Sequence, residues 1–379
     1  MMNTMGGQLS HNPQGYSADT ADKSLRWWRR WPAWVAYAAA AWSLMYGALG
    51  LFWTFGGAGF PFGVNDARAM AGETMSMLVG ITPEVTAPII AFLGLSGAVV
   101  ALAMVQSWGK RISRSIPVTF GAFMCIILLF VIPDIRLLQN FAYAFMLYYG
   151  LVDWQVWNQV ICVIGGLLWG ASLLSYRRKI NHACSNCGRK PGIDHTTRMA
   201  IAMKWCKRLA WIAIIAALPY GLTRFAWNFG IPLGYPIEGL FEGFGLSYDG
   251  IRYYHLPWQA WVLVALDFTG AILMHGLISR WGEIYPRWFP FKAGKRVHPL
   301  TAVIPAMIIS ILITIAGVGM WFYTIQAIVN GSFDNQDFLA NWGASGPGFL
   351  FIFWGVGLAG ASIAYYYRRR DRCLHCGEL

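Results

Sequence analysis

Long apolar runs separated by short polar segments alternate along the whole chain. Eight of these runs have about the 20 residues that a helix needs to cross roughly 30 Å of hydrocarbon. We predict membrane-spanning helices near residues 34–55, 86–107, 116–132, 156–176, 209–229, 258–279, 300–322 and 348–367. The third run is the shortest. The pattern therefore predicts an all-α fold, that of a polytopic membrane protein with eight transmembrane helices.

The composition supports this class. Apolar residues make up 57% of the 379 residues and charged residues only 12%, with 20 tryptophans. A soluble globule of this size would need far more polar surface. The chain is therefore predicted to lie in a lipid bilayer.

The basic residues predict the orientation. Of 29 Lys and Arg, 25 fall in the N-terminal segment, the loops after the second and sixth runs, the central segment and the C-terminus. The opposite side has only Arg68, Arg136 and Arg252, while Arg224 lies within a span. The positive-inside rule then predicts a multi-pass protein of the plasma membrane with both termini cytoplasmic. The net charge of +12 indicates contact with anionic lipids, not nucleic acid.

An internal repeat is the strongest feature of the chain's organisation. Three segments match at similar offsets: Tyr46-Gly47 and Trp53 with Tyr220-Gly221 and Trp227; Leu95–Val99 with Phe268–Ile272; and Gly170-Ala171-Ser172 with Gly360-Ala361-Ser362. Each half has four spans, an even number, so the copies would be related by an axis along the membrane normal. We predict two parallel four-helix repeats.

This repeat divides the chain into four parts. Residues 1–33 form a basic cytoplasmic head predicted to be disordered, because the first 24 are polar and lack the apolar stretch of a signal peptide. Residues 34–190 form the first repeat, residues 191–208 a cytoplasmic linker, and residues 209–379 the second repeat. Each repeat ends in a Cys-x-x-Cys-Gly sequence.

These two cysteine turns predict a metal site. The sequence CSNCG begins at Cys184 and CLHCG begins at Cys373. Cys184, Cys187, Cys373 and Cys376 together provide the four thiolates of a tetrahedral site. Zinc is the predicted cofactor, as a structural clasp between the halves; iron uses the same ligands, and unliganded thiols are the plain alternative. A redox dithiol is disfavoured because each turn follows a helix instead of beginning one.

Polar residues within the spans are candidates for a ligand site. Arg224 and Asn228 lie in the fifth span and Asp267 in the sixth. We predict that Arg224 and Asp267 pair. The first repeat has Gly50 and Gly94 at the corresponding positions. The charges thus belong to the second half alone, as a ligand or ion site that opens outward or as a buried ion pair.

His275 is the remaining candidate in the sixth span. It lies about 80° around the helix from Asp267, so the two could share one wide face. No other histidine lies within a span, which disfavours a bis-histidine haem site.

Three functions are consistent with these features. The first is transport or binding of a small ligand or ion in the second repeat. The second is a non-catalytic membrane subunit or scaffold for partner proteins. The third is an intramembrane enzyme using Asp267 and His275 for proton transfer. It is the least favoured because no phosphate loop, His-Glu-x-x-His helix or nucleophile elbow accompanies the pair.

One short segment suggests a relationship. The pattern Tyr220-x-x-x-Arg224-x-x-Trp227-x-x-Gly230-x-Pro232-Leu233-Gly234 resembles one found in uncharacterised bacterial multi-pass membrane proteins. The resemblance covers about fifteen residues. It implies a membrane protein and brings no known activity.

Overall fold

The computed structural model describes residues 30–106, 109, 113–189, 195–236, 258–287, 293–370, 373 and 376. Its α-helices are α1 (Trp31–Thr54), α2 (Ala67–Met70), α3 (Pro83–Ala103), α4 (Ser115–Ile126), α5 (Arg136–Ala144), α6 (Trp154–Ile180), α7 (His195–Asn228), α8 (Trp258–Gly276), α9 (Pro299–Val329), α10 (Asn335–Ala340), α11 (Trp342–Ser345) and α12 (Phe351–Arg369). The prediction of an all-α fold is confirmed for these residues.

Within the described ranges, seven helical segments are long and apolar enough to cross a membrane. They correspond to α1, α3, α6, α7, α8, α9 and the continuous stretch from α11 through α12. Helix α4 with its π-helical extension Ile127–Val131 would make an eighth span together with α5, to which it is bent by 60°. Length and composition thus confirm an integral membrane protein.

The predicted span bounds agree with the helices at most ends, and two differences have clear causes. Helix α7 begins at His195, so residues 195–208 are helical although they were predicted as a linker. No glycine or proline interrupts the sequence between His195 and Pro219, so the helix continues into the basic segment. The predicted N-terminal head lies almost wholly outside the described residues.

The second difference is the break after the third span. Pro133 has no N–H group and cannot continue the hydrogen-bond ladder of α4. The side chain of Asp134 then accepts a hydrogen bond from the Arg136 N–H at 2.9 Å, which starts α5 in a new direction. The predicted span 116–132 is therefore a helix that ends at a bend instead of a simple crossing.

A buried ion network stabilises this bend, and sequence reasoning did not find it. The Arg136 guanidinium contacts Asp66 Oδ2 and Asp134 Oδ2, each at 2.6 Å. All three side chains are almost fully buried. Asp66 also caps α2, and Gln159 of α6 accepts the Asp134 N–H at 3.2 Å. The network thus joins the segment before α2, the bend and α6.

Helix packing follows the same order in the two halves of the chain. Helix α1 packs against α3 and α6, and α4 packs against α6. Helix α7 packs against α8 and α12, and α9 packs against α12. An apolar cluster of Leu137, Val156, Leu312 and Ile315 joins α5 and α6 of the first half to α9 of the second.

We expect Arg136→Gln to lower the free energy of unfolding by about 3–5 kcal/mol, because it leaves two buried carboxylates without a counter-ion. Thermal or denaturant unfolding of the purified protein in detergent measures the change. Arg68→Gln is the matched control: its ion pair with Glu73 is partly exposed, so the change should stay below about 1 kcal/mol. Equal effects of the two substitutions would contradict a structural role for the network.

Candidate metal centre and buried polar site

The two cysteine turns meet although they are far apart in sequence. The sulfur atoms of Cys184, Cys187, Cys373 and Cys376 all lie within 4.8 Å of one another. Cys187 Sγ and Cys376 Sγ, one from each turn, are 3.6 Å apart. Four sulfurs at about 2.3 Å from a tetrahedral ion would be about 3.8 Å apart. The four cysteines therefore fit a single metal ion.

The turn after α6 is shaped to present its sulfurs. Gly188 has φ +74°, a left-handed conformation that glycine adopts without strain. Its N–H donates to Cys184 O at 2.7 Å, and the Cys184 N–H donates to Arg189 O at 3.0 Å. The Arg189 N–H donates to Cys187 Sγ at 3.5 Å. Such bonds orient a thiolate ligand and stabilise its negative charge.

Arginines hold the first turn in place and connect it to the chain just before the second turn. Arg178 at the end of α6 donates to Ser185 O at 3.1 Å and to Asn186 O at 2.8 Å. Arg370, which follows α12, donates to Cys187 O, and Arg189 donates back to Arg370 O at 3.4 Å. Sequence reasoning missed this role, although basic residues precede both cysteine turns and were a usable signal.

The surroundings have two opposing effects on ligand ionisation. Burial raises the pKa of the Cys187 thiol, and the Arg189 N–H bond to its sulfur opposes that rise. A bound cation favours the thiolate form much more strongly than either effect. Four thiolates complete a tetrahedral shell, so the site would stabilise the fold and leave no open position for catalysis.

Asp267 is the second notable feature, and it lies in the membrane-spanning part of α8. Only 5% of the residue is exposed. Its carboxylate faces Gly221 of α7, where any larger side chain would collide with Asp267 Oδ2. Neither Asp267 oxygen has a hydrogen-bond partner among the described residues. An ionised carboxylate in this position is costly unless something compensates its charge.

Arg224 and Asp267, predicted to pair, make no direct ion pair among the described contacts, although their charges interact at longer range. The Arg224 guanidinium instead donates to Gly343 O at 2.8 Å and lies over the Tyr220 and Trp227 rings at 4.3 and 4.4 Å from their centres. The short helix α11 offers its carbonyl groups to Arg224, and the two aromatic faces attract the cation. These contacts occupy the guanidinium, so its interaction with Asp267 is a longer-range attraction and not a hydrogen-bonded pair.

The other two candidates lie in different surroundings. Asn228 is buried at the end of α7, and its Nδ2 has no acceptor among the described residues. Gln259 is the second residue of α8, and its buried Oε1 has no hydrogen-bond donor among the described residues. His275 is exposed, with Ser279 Oγ at 3.1 Å from its Nδ1 and the Trp211 ring 6.2 Å away. Asp267 and His275 thus point into different environments, which removes support for a proton-transfer pair.

Comparisons with protein-family models, curated proteins and solved structures found no match. The resemblance of residues 220–234 to bacterial multi-pass membrane proteins therefore stays a prediction.

We expect about one metal ion per chain in protein purified without chelator. Cys373→Ser should remove most of it, because three thiolates bind a soft metal far more weakly than four. Elemental mass spectrometry measures the content. Cys125→Ser, which changes a cysteine of α4 outside the cluster, is the control and should keep the full content. Metal retained by Cys373→Ser at the wild-type level would rule out the four-cysteine site.

Proposed function

We propose that the chain is an integral membrane protein that binds, and transports, a small monovalent cation at Asp267. One observation carries this proposal: a carboxylate that is almost fully buried among membrane helices has no hydrogen-bond partner among the described residues. Intramembrane acids of this kind usually belong to an ion or proton pathway. A bound cation would provide the missing charge compensation.

The geometry favours a small ion over a larger organic ligand. The Asp267 carboxylate lies directly against the Gly221 backbone, so there is no room for a bulky group on that side. A divalent hard cation would need more oxygen ligands than one carboxylate provides, commonly including several acids. A monovalent ion suits a single acidic group.

Other buried polar atoms support a path for the cation to Asp267. The path would begin at the end of the helix bundle that is predicted to face outside. Helices α7 and α8 run antiparallel with Gly221 against Asp267. Asn228 lies seven residues further along α7, about 10 Å at helical rise. The unpartnered Asn228 Nδ2 and Gln259 Oε1 are therefore near the end of the helix pair. Arg224 stabilises α11 beside this route and is not itself a ligand in the proposal.

We also propose two parallel four-helix repeats held together by zinc. Two features support the repeat. The order of helix contacts is the same in each half. In the first half Gly109 lies close against the carbonyl group of Ala103, and in the second half Gly282 lies close against that of Gly276. The second contact is the first one shifted by 173 residues. Zinc is the proposed ion because it is the common metal of tetrahedral four-thiolate structural sites.

Asp267→Asn tests the cation site. We expect the wild-type protein to melt at a higher temperature in sodium than in N-methylglucamine chloride of equal ionic strength. The gain should be about 1.4 kcal/mol when sodium is at ten times its Kd. Asp267→Asn should lose this response and melt no lower than the wild type without sodium, because it removes an uncompensated charge.

The control for that test is Asp337→Asn, an exposed acid on α10, which should keep the sodium response. Potassium and lithium serve as further probes. A wild-type protein that responds to none of these ions, or an Asp267→Asn variant that responds as the wild type does, would contradict the proposal.

Fusion proteins test the proposed cytoplasmic position of the C-terminus. We expect green fluorescent protein fused after Leu379 to fluoresce, and alkaline phosphatase fused there to be inactive. Alkaline phosphatase fused after Ser332, between α9 and α10, should be active. This expectation follows from the positive-inside rule, which assigns the basic ends to the cytoplasm. The reverse result would show that the predicted topology is inverted.

A further inference from the structure

A second feature of the second half is an apolar cavity of about 450 Å³ between α8, α9 and α12. Cavities that hold small-molecule ligands have volumes of about 300–1,000 Å³. Residues within 281–286 together with Val297, between α8 and α9, line one end of the cavity. The residues that line the cavity include Leu273, Met274, Trp281, Pro305, Trp354 and Leu358. The site described at Asp267 shares none of these lining residues.

The cavity opens sideways, toward the surface that the helices present to lipid. Leu273 both lines the cavity and is 59% exposed, as expected for a side chain at a lateral opening. Trp354 lies at the back, 8% exposed, and its indole N–H has no acceptor among the described residues. An apolar chain entering from the bilayer would therefore meet an apolar wall with one hydrogen-bond donor.

The closed end is held by side chains of α12. Tyr365 donates to Gly282 O at 2.7 Å. Arg368 pairs with the Glu283 carboxylate at 2.7 Å, and Arg369 donates to Glu283 O and Val297 O at 3.0 and 3.1 Å. Gly282, Glu283 and Val297 are thus fixed against α12, and Glu283, the single acid in the sequence 279–298, is already paired.

The same segment carries an exposed basic rim. Arg280, Arg287, Lys295 and Arg296 are all exposed, and none has an acidic partner among the described residues. The Tyr285 N–H donates to Lys295 O and the Gly294 N–H donates to Tyr285 O, each at 3.0 Å, which brings the two sides of the segment together. Positive charge is therefore concentrated beside an apolar cavity at the membrane face predicted to be cytoplasmic.

We propose that this cavity binds one acyl chain of an anionic phospholipid from the surrounding bilayer, with the lipid phosphate on Arg287, Lys295 and Arg296. The acyl chain matches the apolar lining and the lateral opening. The phosphate matches the basic rim, since basic residues near a membrane surface attract anionic headgroups. The Trp354 N–H offers a donor to an ester carbonyl group.

Gly270 provides a way to block the cavity without disturbing the fold. It lines the cavity, and a Cβ added there would meet no atom within 4 Å. Gly270→Trp should fill the space with an indole ring, while Gly270→Ala adds one methyl group and leaves the cavity open. Both substitutions replace a helical glycine and should not lower the melting temperature.

Native mass spectrometry of delipidated protein tests the proposal, with dioleoylphosphatidylglycerol and dioleoylphosphatidylcholine as probes. We expect wild-type protein and Gly270→Ala to retain one phosphatidylglycerol molecule at activation energies that strip the others. Gly270→Trp should lose this molecule while keeping its melting temperature. Equal retention by wild type and Gly270→Trp, or no tightly held lipid in the wild type, would overturn the proposal.

A charge-removal variant tests the headgroup contact separately. We expect Arg287→Gln/Lys295→Gln/Arg296→Gln to bind phosphatidylglycerol about fivefold more weakly for each charge removed, with phosphatidylcholine binding unchanged. The matched control removes three exposed basic residues of α7, as Lys204→Gln/Lys207→Gln/Arg208→Gln, and should retain wild-type binding. Equal losses in both triple variants would overturn the assignment of the phosphate to this rim.

Discussion

Hydrocarbon offers no hydrogen-bond partner, so a chain that crosses it must satisfy its polar groups internally. Helices do this for most backbone groups. Side chains do it at a helix break and around a buried charge. Where Pro133 ends α4, Asp134 and Arg136 start the next helix and Asp66 completes the charge balance. Arg224 similarly finds carbonyl groups and aromatic faces. Asp267 stands out because it has no such arrangement among the described residues.

The glycines explain how the helices approach closely enough for these contacts. In the first half, the Gly47 and Gly94 backbones touch between α1 and α3. In the matched place of the second half, Gly221 is kept and Asp267 replaces the second glycine. A small residue on one helix therefore creates the space that a carboxylate on the other occupies. This substitution distinguishes the two halves chemically at the same position in the helix pair.

At the other face, one helix end connects several features. The last turn of α12 contributes Arg368 and Arg369, which fix the segment that closes the apolar cavity. The next residue, Arg370, contacts the first cysteine turn, and Cys373 joins the sulfur cluster. A metal ion bound there would restrain the end of α12 and, through it, the cavity. The proposed metal clasp and lipid site thus share a common support.

Sequence alone determined the helical class, most helix bounds and the four cysteines that come together. Apolar runs of membrane length and paired Cys-x-x-Cys turns are local patterns, so their physical meaning does not depend on distant residues. Arg224 and Asp267 do not form a direct pair, because depth along two helices does not fix side-chain direction and the carbonyl groups of α11 accept the guanidinium hydrogen bonds. The Asp66–Asp134–Arg136 network and the apolar cavity arise from segments far apart in sequence. Only the tertiary structure decides such contacts, because they depend on how the helices bend and diverge.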